Sequence, residues 1–433
     1  MRLPNDWASK ITDKNPDVAQ KAALHIINNK DMDAWSCLGE HEELMFDFLK
    51  EKVAQKLIDA VNIENLENLF TLMQRYNDWL SDIVALSASK FDDPEVNDRM
   101  LEILINGDPD QKSYAARYFT FVEFEPATTV LIKCLNDNNE TLKTNAAEAL
   151  GTHENEKALN ILLDKLNVDD DFQKVEAAEL LSAYGDERAV KPILKAMINS
   201  RMKENLAGEA ASIACLADYL EGDDYELKNL SLEAIDSIVA GLPEVLPLSN
   251  LLVYRFYECI EALLKLSEGE YNHFTGKYAQ ILLRAKNKFD LLKNNDQYTF
   301  DETKEIKEEI EHINNMLKLR DDTFWGDMAY LLIEELDSQD FYRKINAITT
   351  VSEVGLKFAG ENLVNIIKNE STQELIQCQA VYAIQDLEYT DALPELKKLL
   401  IRIGDPNMSA IIDNAIQTLE QSKTKETQPE KQH

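Results

Sequence analysis

The chain has 433 residues, of which 79 are Asp or Glu and 45 are Lys or Arg, for a formal net charge of −34. That charge opposes the counterion displacement on which nucleic-acid binding depends, which argues against a nucleic-acid partner. With 45% hydrophobic residues the chain has a folding composition, and only 13 Gly and 11 Pro argue for helices with short turns over a many-stranded β fold.

The N-terminus, MRLPNDWASK, lacks the apolar core of a signal peptide. No apolar run approaches the roughly 20 residues needed to span a bilayer. The five cysteines (Cys37, Cys134, Cys215, Cys259 and Cys378) are scattered and form no CxxC pair. They read as reduced thiols packed as small apolar residues, so the expectation is a cytoplasmic protein without a membrane partner.

In chain order, residues 1–75 carry helical patterns without a period, as the divergent cap of a stacked array does. Residues 76–242 repeat every 31 positions. Ala146-Ala147 falls on Ala177-Ala178 in one direction and on Ala115-Ala116 in the other. Ala158 falls likewise on Ala189 and Ala127, and Leu166 on Met197 and Leu135. Within one unit, Ala146, Ala149 and Leu150 share one helical face, and Leu159, Leu162, Leu163 and Leu166 share another. A helix pair this short cannot bury both stripes alone, so each pair must rest on the next.

Residues 243–337 break the period and predict longer helices at about 248–266, 270–293, 301–319 and 322–336. This stretch is rich in aromatics, which form either the core of a differently packed segment or an exposed aromatic dock. The period returns over 338–420 with a step of 33, where Ala347, Val351 and Ala359 match Ala380, Ile384 and Ala392. A last helix is expected over 409–420, and residues 421–433 read as a disordered tail.

The AAEALG-type phrase, the helix pairing and the period together resemble the HEAT repeat. They resemble in particular the short bacterial HEAT-like form, of the kind found in phycobilisome lyases. The resemblance implies an all-α solenoid of antiparallel helix pairs. It also implies a basic residue four positions before the second Ala of each pair, which Lys112, Lys143 and Lys174 supply. In the family this residue tethers the neighbouring unit's acidic turn, and the turns here read DPD, DNNE and DDD.

Some relatives of this architecture are enzymes. Deoxyhypusine hydroxylase, which it resembles, binds two irons through His-Glu dipeptides set just before the Ala pairs. Here those places hold Ser113-Tyr114, Thr144-Asn145 and Val175-Glu176, while His41-Glu42 and His153-Glu154 lie out of register. Glu270-x-x-His273 and Glu309-x-x-His312 mimic half of a helical-bundle di-iron site, with Glu258, Glu261, Glu334 and Glu335 as nominal further donors. No cysteine or basic pocket marks a bilin site, and no GxxxxGK[ST], HExxH or GxSxG motif occurs.

The expectation is therefore a noncatalytic scaffold or adaptor without a cofactor, binding another protein along its inner helices. The candidate surface is two ridges, Tyr114–Asn145–Glu176 and Arg117–Glu148–Glu179. An acidic surface suits a basic partner or one with a cationic disordered segment. The competing expectations are an enzyme or cofactor-handling protein on the same solenoid, and a purely structural assembly subunit.

Overall fold

The structure is a computed structural model that describes residues 85–91, 93–293 and 304–427, with scattered positions before residue 23. The expected N-terminal cap over 1–75, including His41 and Glu42, lies outside the described residues apart from those positions. Every regular element among the described residues is helical, and the chain is an all-α solenoid of helix pairs. It divides into two compact units, residues 1–192 and 193–433.

The first unit contains α1 (Pro94–Asn106), α2 (Pro109–Phe121), α3 (Glu125–Cys134), α4 (Glu140–Thr152), α5 (Glu156–Lys165) and α6 (Asp171–Tyr184). The acidic turns of the sequence are helix caps. Asp108, Asn139 and Asp170 each accept a backbone N–H from the first turn of α2, α4 and α6. Such a cap contributes about 0.5–2 kcal/mol, and an acidic cap also complements the positive end of the helix dipole.

Helix α4 packs directly on α2 and on α6, with α3 against α4 and α5 against α6. The small residues of the repeat make that approach possible. Ala115, Ala116, Ala146, Ala147, Ala177 and Ala178 are all buried. At the end of α4 the backbones come closer still: a Cβ on Gly151 would stand 1.9 Å from the Tyr184 carbonyl oxygen of α6.

Helix α7 (Val190–Ile198) spans the division between the units. The second unit continues with α8 (Lys203–Ile213), α9 (Tyr225–Gly241), α10 (Asn250–Val253), α11 (Phe256–Ser267) and α12 (Thr275–Lys293). It ends with α13 (Lys304–Lys318), α14 (Asp322–Glu335), α15 (Phe341–Glu353), α16 (Gly360–Lys368), α17 (Glu374–Asp386), α18 (Leu393–Arg402) and α19 (Pro406–Thr427).

Helix α12 packs on α9 and on α15, α15 on α17, and α17 on α19, so one layer runs through the aperiodic segment. The step from α9 to α12 is longer than a repeat. Lys277–Glu233, Gln280–Asp236 and Lys288–Glu244 are hydrogen-bonded pairs, each 44 residues apart. Helices α13 and α14 add to this layer: α13 packs on α11 and α12, and α14 on α12 and α15.

Arg284 of α12 ties the layer together. It bonds Asp236 of α9 and donates to Glu353 at 2.6 Å and to Thr350 at 2.7 Å, both on α15. Burial alone would lower its pKa, but Asp236 and Glu353 outweigh that and raise it.

Several boundaries differ from expectation for local reasons. The single helix expected over 248–266 is broken at Arg255, whose backbone is left-handed (φ 49°). The helix expected from 270 begins at Thr275, because Thr275 Oγ1 accepts from Asn272 N at 2.8 Å and Asn272 Oδ1 accepts from Phe274 N at 2.8 Å. The last helix starts at Pro406 instead of near Ser409. Asp405 caps it, accepting from Met408 N at 2.8 Å, and proline suits a first helical position. It then runs to Thr427, through part of the stretch expected to be a disordered tail, and residues 428–433 lie outside the described residues.

Candidate partner-binding surface

The two expected ridges lie on α2, α4 and α6, and the structure links them across neighbouring units. Arg117 pairs with Glu148, and Asn145 Nδ2 donates to the Ser113 carbonyl and hydroxyl oxygens, both at 3.0 Å. Glu176 takes the ammonium of Lys143, which also reaches Glu140 at 2.9 Å. Tyr114 is a correction: its ring is buried, so it is packing and offers no groove surface. Its neighbours on both sides, Ser113 and Ala115, are buried too, and α2 is enclosed along that edge.

Lys143 tethers neighbouring helices, but not through the neighbouring acidic turn. Lys143 joins Glu140 at the start of its own helix to Glu176 inside the next one. Lys174 reaches Asp171 of its own first turn at 3.6 Å. Burial works to lower the Lys143 pKa, yet its hydrogen bonds to Glu176 and Glu140 raise it overall.

Glu179 faces solvent and forms no ion pair among the described residues. Partial desolvation of its carboxyl raises its pKa, and the negative charges of Glu140 and Glu176 add to that against Lys143. Three carboxylates thus stand near Lys143, with the Lys165 ammonium close enough to feel both Glu176 and Lys143. This face holds uncompensated negative potential, which strengthens the pull on a cation and weakens with salt.

Among the described residues, those raised for metal chemistry do not gather as a ligand set. Glu270 and His273 precede α12, so they do not share a helical face. His273 stacks near Tyr225 and lies 3.3 Å from an Arg343 nitrogen. Glu309 accepts from Tyr257 N at 3.3 Å, and His312 packs edge-on against the Tyr257 ring. Among the described residues no three His, Cys, Asp or Glu side chains gather as metal ligands. His153 is a packed imidazole, its Nε2 lying 2.8 Å from the Phe119 carbonyl oxygen.

In the second unit the aromatics divide. Tyr254, Phe256, Phe274, Tyr278 and Phe289 are core, while Tyr271 and Tyr330 are exposed, and Tyr298 and Phe300 lie outside the described residues. A groove of about 600 Å³ opens between α12, α14 and the turn after α15. Its walls include Trp325, Tyr330 and Phe358. Phe358 lies beyond the segment singled out in the sequence, where one aromatic in a repeat turn carries no periodic signal.

These features define an all-α solenoid whose open faces are polar ladders and an aromatic groove. Residues 128–212, from within α3 to within α8, match the family model of HEAT repeats. HEAT repeats usually mediate protein interaction. No curated protein matches the chain.

Among solved structures the chain is similar to the CpcE–CpcF complex of phycocyanin lyase from Nostoc sp., at 15% identity over 75% of this chain and 94% of that chain, with a TM-score of 0.23. It is similar to an engineered protein at 15% identity over 75% of this chain and 96% of that chain, with a TM-score of 0.21. A homology model of the full-length AP-3 complex in an intermediate open conformation matches at 12% identity over 94% of this chain and 79% of that chain, with a TM-score of 0.31. No helix among the described residues is long and apolar enough to cross a membrane.

Proposed function

We propose that the chain is a noncatalytic scaffold or adaptor that receives a cationic segment of another protein along α2, α4 and α6. The observation that carries this reading is the gathering of Glu140, Glu176 and Glu179 near Lys143, with Glu179 in no ion pair among the described residues and the carboxylates outnumbering the ammonium groups of Lys143 and Lys165. Arg117 of α2 pairs with Glu148 of α4 on the same run of helices. The partner is a basic protein or one with a cationic disordered segment, because a chain of net charge −34 concentrates such ligands. The free thiols Cys134, Cys215, Cys259 and Cys378 suit a reducing, cytoplasmic setting.

Native mass spectrometry on the gently purified protein tests the class. A copurifying polypeptide without a small-molecule or metal mass is the expected result, and a bound pigment, metal or metabolite would overturn it in favour of an enzyme or cofactor-handling protein. Charge reversal at Glu148 and Glu179 then tests the place. The Glu148→Lys/Glu179→Lys variant should bind the copurified partner more weakly, with the largest difference at low salt. Equal binding would remove the ridge from the interface.

A further inference from the structure

The aromatic groove of the second unit has an open side with its own charge. Tyr330 of α14 is 67% exposed and Phe358 is 57% exposed, with ring centroids 6.1 Å apart and planes tilted by 56°. Phe172, Tyr271 and Tyr342 are exposed as well, but Tyr330 and Phe358 stand together at the mouth of a groove, and a contiguous exposed apolar patch is what marks a binding surface. The floor is open as well, since a Cβ built on Gly326 would meet nothing within 4 Å.

The charge around Tyr330 points to the occupant. Asp327 and Glu334 lie three positions before and four after it on α14, which places both carboxylates beside the ring on one helical face. Both are exposed, and neither is in an ion pair among the described residues. The inner end of the groove has cations of its own: Lys286 stands over the Trp325 ring at 5.6 Å and reaches Asp290 at 3.5 Å, and Asp290 also takes Lys318 at 3.7 Å. The aromatic wall thus already holds one cation of the chain itself. The outer ring, with two carboxylates beside it, lacks one.

We propose that this groove docks a segment of a partner protein in which an arginine or lysine adjoins an apolar anchor. The cation lies over Tyr330 between Asp327 and Glu334. The anchor enters against Trp325 and Phe358. An aromatic face attracts a cation most strongly when the pair is partly desolvated, and the apolar anchor brings about that desolvation. The inference extends the reading of the chain as a binder of cationic partners to a second surface.

A random dodecapeptide library displayed on phage and selected against the full chain tests this. Enriched peptides should carry Arg or Lys next to Leu, Phe or another large apolar residue. Their affinity, followed by fluorescence anisotropy, should fall by about tenfold or more in Tyr330→Ala and in Asp327→Lys/Glu334→Lys. These positions are exposed, so the variants should keep the wild-type circular dichroism spectrum and melting temperature.

Enrichment of acidic peptides, equal affinity for all three proteins, or no enrichment at all would overturn the groove. Measuring the same peptides against Glu148→Lys/Glu179→Lys keeps the two surfaces apart. Loss in that variant alone puts the cationic segment on the ridge and ends this proposal. Loss in the groove variants alone supports the groove even if the copurified partner proves indifferent to the ridge.

Discussion

Arg117 of α2 pairs with Glu148 of α4, and the two are 31 residues apart, the same step that separates the alanine pairs beneath them. The Arg117 guanidinium also lies 5.6 Å from the Phe121 ring centroid, which fixes its direction. The two side chains are 27% and 34% exposed, so solvent screens much of the attraction. A double-mutant cycle with Arg117→Ala and Glu148→Ala, read by chemical denaturation, should give a coupling of about 0.2–1 kcal/mol that shrinks with added salt. Zero coupling at low salt would assign the register of α2 and α4 to apolar packing alone.

Gly151→Ala should destabilise the protein. In an exposed helix this substitution adds about 1 kcal/mol of stability. Here the new Cβ would stand 1.9 Å from a backbone oxygen of Tyr184, which cannot rotate away. Overpacking of this kind costs about 1–3 kcal/mol, and it should show as a lower melting temperature. A rise would mean that α4 and α6 separate easily.

Arg284→Ala should be among the more damaging single changes, by about 3–5 kcal/mol, because it leaves the buried Asp236 carboxylate without its cation. Adding Asp236→Asn to that variant should restore part of the loss, since the stranded charge is then gone. If the double variant is no more stable than Arg284→Ala, the cost lies in lost side-chain packing and not in the unpaired charge.

Lys143→Met should cost about 1.5–3 kcal/mol, the range for a hydrogen bond to a charged group, since the Lys143 side chain is only 5% exposed. Its folded-state pKa is raised, so the stabilisation is complete below its unfolded value and is lost as pH rises through the folded one. The stability difference between wild type and variant should therefore hold from pH 7 to the model-compound value of about 10.4 and narrow above it.

Glu179→Gln should separate stability from function. The folded protein holds the Glu179 proton more tightly than the unfolded chain does, so at neutral pH the ionised carboxyl works against folding. The variant should gain no more than about 1 kcal/mol, because solvent screens this carboxyl. That gain should disappear as pH falls through the folded-state pKa of Glu179. Partner binding should weaken in the same variant. A gain in stability with unchanged binding would mean that the acidity here serves only solubility.

The repeat could be read from the sequence because it is a packing constraint that recurs at fixed spacing. Alanine pairs every 31 residues are small residues where helices must touch, and every such pair from Ala115 to Ala178 is buried. The family resemblance, the acidic turns that become caps and the helical class follow from local composition in the same way. Of the candidate site, the placing of Arg117, Asn145, Glu148, Glu176 and Glu179 on neighbouring helices follows from that period. Tyr114 did not follow, because burial on a helix edge depends on what the adjoining helices cover.

Other features depend on pairings between residues far apart in the chain. That Lys143 reaches forward to Glu176 is decided by how α4 and α6 face each other. The 44-residue step that carries α12 into the layer, and the groove that α14 leaves beside it, arise from docking of helices with no common period. The sequence by itself determined the small and apolar stripe that each repeat helix must bury, because that is set by side-chain size and helical spacing. Only the tertiary structure decided which charges were neutralised and which aromatics stayed exposed, because electrostatic pairing and solvent exclusion depend on distance in space.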